Sequence, residues 1–251
     1  MAAQSMMNIG EEFTWTNCGA DISKYANTRT ITDYLKHVIG PAILSIENKI
    51  EEYEALGDAY AIFGVSDLQN VKRETLLAFS LGMQSLWERQ FRNYLRQSAS
   101  ELKPNDKKFA ERSKGPKWDD LEKLFEELRG VELKRFKSYY ALNTLNRLGN
   151  AARHGDGYAL QHLRKNNPEL FPLANKFSNE APLEIMQIHL KDFASAICSF
   201  WNEMELVRLR SLTARDTRIS KAIEDLVTDI NASFPLAAIG GNNGSSEAVN
   251  T

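Results

Sequence analysis

Cysteine is scarce in this chain. Two in 251 residues, Cys18 and Cys198, exclude a disulfide framework and a cysteine-based zinc site. An excess of either charge is also missing: 31 Lys and Arg stand against 33 Asp and Glu, a formal net charge of −2, so any basic surface must be local. No apolar run approaches the ~18 residues of a membrane span. The first twelve residues lack the basic and apolar regions of a secretory signal, and a reducing cytoplasm is the expected compartment. There is no phosphate-cradling Gly-x-x-x-x-Gly-Lys loop, no Gly-x-Gly-x-x-Gly, no His-Glu-x-x-His and no Gly-x-Ser-x-Gly. His37, His154, His162 and His189 form no ligand pair at helical spacing, so no metal and no cofactor is expected. With 43% hydrophobic and 25% charged residues, the composition is that of a globular protein.

What is present is helical periodicity. Ile31, Tyr34, Leu35, Val38, Ile43, Ile46 and Ile50 recur at three- and four-residue steps, with a break or kink expected at Gly40-Pro41. The stretch 47–67 is acidic. A second helix is expected to open at Ser66-Asp67 and run to about Ser100, with Trp87, Phe91, Tyr94 and Leu95 on its apolar face and Arg89, Arg92 and Arg96 on one side. Residues 102–117 read as a loop. Helices follow at about 118–129, 131–154, 183–210 and 215–231, with Gly130 and Gly155-Asp156-Gly157 as stops. Residues 240–251 read as a disordered tail. The fold class is all-α, an antiparallel bundle of long helices. It divides into an N-terminal helical extension over 1–65, a helical domain over 66–212, and a C-terminal helix with a flexible tail over 213–251.

Asn143, Arg147, Asn150 and His154 fall at steps of four, three and four, which places them on one face of a helix opposite its Leu/Phe/Tyr stripe. Arg147 and His154 are two turns apart, roughly 10 Å along the axis. Metal-free RNA cleavage needs such groups. RNA carries its own nucleophile, the 2′-OH, and the protein must move protons and stabilise charge on phosphorus. His transfers protons near neutral pH, Arg presents a planar fork to phosphate oxygens, and the C-terminal end of a helix favours a protonated His. The plainer reading is a polar face of the kind any surface helix shows, with His154 as a cap. From Arg129 to Lys165 eight basic residues face two acids, Glu132 and Asp156, a surplus of six. A polyanion would suit that surplus. So would neutralisation of the acidic 47–67 stretch, within the chain or across a dimer.

Residues 146–155, Asn-Arg-Leu-Gly-Asn-Ala-Ala-Arg-His-Gly, resemble the Arg-x(4–6)-His motif of the HEPN superfamily, with six residues between Arg147 and His154. Glu88-Arg-Gln-Phe-Arg92 is similar to the Glu-x-x-x-Lys/Arg element that many members carry on an earlier helix. The resemblance covers about residues 66–210. It implies a metal-independent endoribonuclease that leaves a 2′,3′-cyclic phosphate and dimerises so that two Arg/His motifs share one cleft. Such enzymes act as toxins or antiphage effectors, with an antitoxin or defence protein as a further partner. By the same resemblance Arg147 and His154 are the catalytic pair and Asn150 supports them. Glu88 and Arg92 lie beside them in the cleft, with Glu88 orienting Arg92 or Arg147. Asn143, from its place in the same helical row, is expected to line the cleft, and the local basic charge makes Arg89, Arg96 and Arg153 the expected RNA-binding residues. Two departures stand out. Leu148 occupies a position that is often polar, and Asp156 the place of a modifiable Tyr in one variant of the family. The competing expectations are a non-catalytic HEPN-like module that binds RNA or a protein partner, and a helical interaction protein without a nucleic-acid role. In the second, Trp87, Trp118 and Trp201 would serve only as core and dimer contacts. Cys18 and Cys198 read as small buried hydrophobes, His37, His162 and His189 have no nameable partner, and Phe13-Thr-Trp15 reads as a docking segment or packed loop.

Overall fold

A computed structural model describes residues 15–115, 117–155, 157–172 and 182–233. The expected tail at 240–251, Asp156 and Phe13 lie outside the described residues. Among those described there are helices and no strand, as the all-α reading requires.

A short 3₁₀ turn, Gly19–Ile22, leads into α1 (Ser23–Tyr34). The break expected at Gly40-Pro41 is absent. A π turn over Leu35–Ile39 carries the chain directly into α2 (Gly40–Leu56), and Pro41 sits in the first turn of α2. The wider π turn accommodates a residue that lacks an N–H and crowds the preceding turn. Gly57, at φ 66°, ends α2 in the left-handed conformation. Asp58 then accepts the Ala61 N–H at 2.7 Å and caps α3 (Ala59–Leu102), a helix of 44 residues and about 66 Å. The start expected at Ser66-Asp67 is therefore corrected to Ala59. α2 and the first third of α3 form a helical hairpin. Ile43 and Ala61 are buried between them, and Gly64 lies so close to Tyr53 that a Cβ would clash with the ring. The outer side of this hairpin is apolar and open, with Tyr60, Ile62 and Phe63 each at least 70% exposed.

The region 102–117, expected as a loop, contains α4 (Lys107–Glu111) and a 3₁₀ turn, Arg112–Lys114. α5 (Trp118–Arg129) agrees with its reading and stops at Gly130, φ 69°. A 3₁₀ turn, Leu133–Arg135, precedes α6 (Tyr139–His154). The helix expected from Val131 thus starts eight residues later. Glu203 sets this start: its carboxylate accepts the backbone N–H groups of Lys137, at 2.5 Å, and Ser138, at 3.2 Å, together with the Ser138 hydroxyl at 2.5 Å. Donors that begin a helix are otherwise orphaned, and a buried carboxylate satisfies them. α7 (Tyr158–Asn166), α8 (Gln187–Arg210) and α9 (Thr217–Ser233) complete the order, with a 3₁₀ turn at Pro168–Leu170.

α8 is the axis of the core. It is buried along most of its length and packs against α1, α3, α6 and α9. Phe200 and Trp201 of α8 meet Trp87, Phe91 and Tyr94 of α3, Phe125 of α5 and Phe136 in an aromatic cluster with neighbouring centroids 5–6 Å apart. Leu206, Leu209, Leu226 and Ile230 form a smaller cluster between the end of α8 and α9.

One polar lock crosses this core. Arg129, its side chain fully buried, donates to Thr16 O at 2.8 Å, Ser98 Oγ at 2.9 Å, Cys18 Sγ at 3.0 Å and Asp21 Oδ1 at 3.1 Å. Its guanidinium lies 4.3 Å from the Trp15 ring centre. Trp15 is thus a packed residue, and Cys18 is an acceptor within a polar cluster rather than an inert hydrophobe.

Candidate functional site

α6 presents two neighbouring polar rows, and they do different work. The first, Asn146, Gly149 and Arg153, faces α3. Gln84 of α3 sits at its centre: Nε2 donates to Glu88 Oε2 at 2.6 Å and to Asn146 Oδ1 at 3.3 Å, while Oε1 accepts from Arg153 Nη2 at 2.6 Å. Glu88 Oε1 in turn accepts from Arg92 Nε at 2.8 Å and Nη2 at 2.6 Å. Arg92 spends Nη1 on the carbonyls of Ser113, 2.8 Å, and Gly115, 2.7 Å. The expectation that Glu88 orients Arg92 or Arg147 resolves here to Arg92, and Arg92 is fastened to the loop before α5. Gln84 was not singled out in the sequence. Its signal is its position, four residues before Glu88 on the same helical face.

The second row is Asn143, Arg147 and Asn150, all half-buried. Asn143 borders a small recess also lined by Trp87, Trp118 and Tyr139. Arg147 is the distinctive member. Its Nε is buried with no acceptor among the described residues, and no carboxylate there forms an ion pair with it. Trp87 Nε1, Arg129 Nε and Ser199 Oγ are likewise unpartnered, but those residues are buried, whereas half-buried Arg147 is open to an acceptor from outside, water or a ligand. His154 is the last residue of α6, two turns beyond Arg147, followed by Gly155 at φ 65°. The side chain of His154 lies outside the described residues.

α7 packs on α6. It carries His162, whose pKa is held below the ordinary imidazole range by partial burial first and then by the charges of Arg147 and Lys165. Arg147 of α6 is thus a neighbour of His162 that the fold supplies, and one turn along α7 Asn166 Nδ2 stands 3.1 and 3.2 Å from the two ring nitrogens. Of the other histidines, His189 accepts the Met186 backbone N–H at 3.1 Å, and His37 lies 3.9 Å from Asp33.

Arg89 and Arg96 are exposed on α3, and Arg96 donates to Asn93 at 2.8 Å. Arg153 is exposed but tied to Gln84. The acidic 47–67 stretch finds partners at hand, Lys72 with Glu47 and Lys49 with Glu52, both at 2.6 Å. Among the described residues no group of three or more His, Cys, Asp or Glu is placed to hold a metal ion, and no helix is long and apolar enough to cross a membrane.

Comparison with protein-family models, with curated proteins and with solved structures finds no match to this chain.

Proposed function

We propose that this chain is a HEPN-type endoribonuclease that cleaves RNA without a metal ion, working as a homodimer and as a toxin or antiphage effector. The observation that carries the reading is Arg147: a half-buried guanidinium with an unsatisfied Nε, two turns before His154 at the end of the same helix. The proposed step uses these groups, the RNA and water. The 2′-OH gives up its proton to water as its oxygen attacks phosphorus, the bond to the 5′-oxygen breaks, and a 2′,3′-cyclic phosphate remains. Arg147 neutralises the charge that builds on the non-bridging oxygens. His154, in its protonated form, donates a proton to the departing 5′-oxygen and regains one from water. Asn150 lies one turn from each on the same face.

The test is cleavage of mixed cellular RNA by purified protein with EDTA throughout. Wild-type protein is expected to leave cyclic-phosphate ends, and Arg147→Ala and His154→Ala are each expected to lose at least about a hundredfold in rate while remaining folded. Cleavage that persists in both variants overturns the assignment. RNA binding without turnover, unchanged by His154→Ala, would instead identify a non-catalytic RNA-binding module. That second reading is favoured by one observation: Glu88 and Arg92 are already committed to holding α3 and the 113–115 segment together.

A further inference from the structure

We propose that α7, together with Arg147 of α6, forms a binding subsite for single-stranded RNA in which Tyr158 stacks a base and Arg147, His162 and Lys165 receive the adjoining phosphate. The inference rests on the RNA reading above and adds to it a substrate class and a new set of residues.

The fold needs one side of α7. Leu163 is buried, and Ala159 and Leu160 pack against the core. Tyr158, His162, Lys165 and Asn166 fall at i, i+4, i+7 and i+8, so they share the other side. Tyr158 opens this stripe with 77% of its surface exposed. An aromatic ring left in solvent at a helix start contributes little to the core and is free to stack on a base. Its ring centre lies 6.2 Å from that of His162, at an angle of 53°.

Among the described residues, the charge that acts on the stripe is of one sign. The charges that act on His162 are those of Arg147 and Lys165, and both are positive. Neither cation has a hydrogen-bond or ion-pair partner among the described residues. By contrast, Arg92 is paired with Glu88 and the buried Arg129 with Asp21. Two cations, an imidazole and an amide gathered beside an exposed ring, with no carboxylate paired to them among the described residues, form a receptor for an anion joined to a planar group. A nucleotide within a single strand has that chemistry. A duplex keeps its bases stacked inside and offers Tyr158 no face.

The experiment uses His154→Ala protein, so that bound RNA survives, and a fluorescein-labelled single-stranded RNA of mixed sequence, read by anisotropy. The same oligonucleotide as a duplex is the comparison. The single strand is expected to bind more tightly than the duplex. Tyr158→Ala is expected to weaken it roughly tenfold while Tyr158→Phe binds as the parent does. Lys165→Ala is expected to weaken binding and to lower the salt slope by about one. Single-strand affinity unchanged by both Tyr158→Ala and Lys165→Ala overturns the subsite, and with wild-type cleavage intact it leaves the nuclease reading standing. Failure of the parent protein to bind RNA at low salt, together with no cleavage by the wild type, overturns both.

Discussion

Gly149 of α6 and Gln84 of α3 meet without room for a further carbon: a Cβ on Gly149 would stand 2.9 Å from Gln84 Cγ. The same Gln84 is held by Arg153 and Asn146 of α6 and by Glu88 of its own helix, so it has little freedom to withdraw. Glycine inside a helix costs about 1 kcal/mol of helix propensity relative to alanine. Its presence here buys close approach of the two helices. Gly149→Ala is expected to be destabilising by about 1–2 kcal/mol, because crowding outweighs the propensity gain. A fall in the urea midpoint checks this, and relief of that fall by Gln84→Ala in the same chain would identify Gln84 as the cause.

Arg92 and Arg147 are expected to separate in function. Arg92→Ala removes the hold on Ser113 and Gly115 and is expected to lower stability by about 1–3 kcal/mol. Cleavage should stay within about tenfold of wild type. Arg147→Ala is expected to do the reverse, sparing the melting temperature and abolishing cleavage. Melting curves and rates on the same samples decide between the two behaviours.

Arg129→Leu is expected to be among the most damaging single changes, at about 3–5 kcal/mol. It strands the nearly buried Asp21 carboxylate and frees Thr16 O, Cys18 and Ser98. Denaturant unfolding gives the cost. Limited proteolysis should show residues 15–22 as the first segment to open in a milder variant, Arg129→Lys.

Glu203 predicts a pH dependence of stability. Burial pushes its carboxyl up to about 7, against the opposing hydrogen bonds from Ser138 and the backbone of Lys137 and Ser138. The folded protein therefore holds this proton more tightly than the unfolded chain. The stabilisation is complete below about 4.5 and is lost as pH rises through about 7. Thermal midpoints across that window should fall for the wild type by more than for Glu203→Gln.

The helices that could be read from the sequence are those whose apolar residues are consumed by the core. In α5 and α8 the periodic Leu, Phe and Ile residues are the buried ones. The start of α3 was missed because the tip of its hairpin reverses that logic: Tyr60, Ile62 and Phe63 are apolar and exposed, so their spacing carries no core face to follow. The late start of α6 depends on Glu203, 65 residues further on, and no local pattern announces a distant carboxylate. Glu88 and Arg92 were visible as an i, i+4 pair, while Gln84 and Gly149 acquire meaning only when α3 and α6 touch. For His162, Tyr158, Lys165 and Asn166 are neighbours by helical spacing alone, while Arg147 is brought to it only by the packing of α7 on α6.

α3 has one more consequence. Phe63, near its open end, and Gln84, against α6, are 21 residues apart on a helix without proline, roughly 31 Å of continuous hydrogen-bonded rod. A displacement at the free tip of the hairpin is carried along this one helix, past Gly64 and Gly82, to contacts with α6 that include those of Gln84 with Asn146 and Arg153.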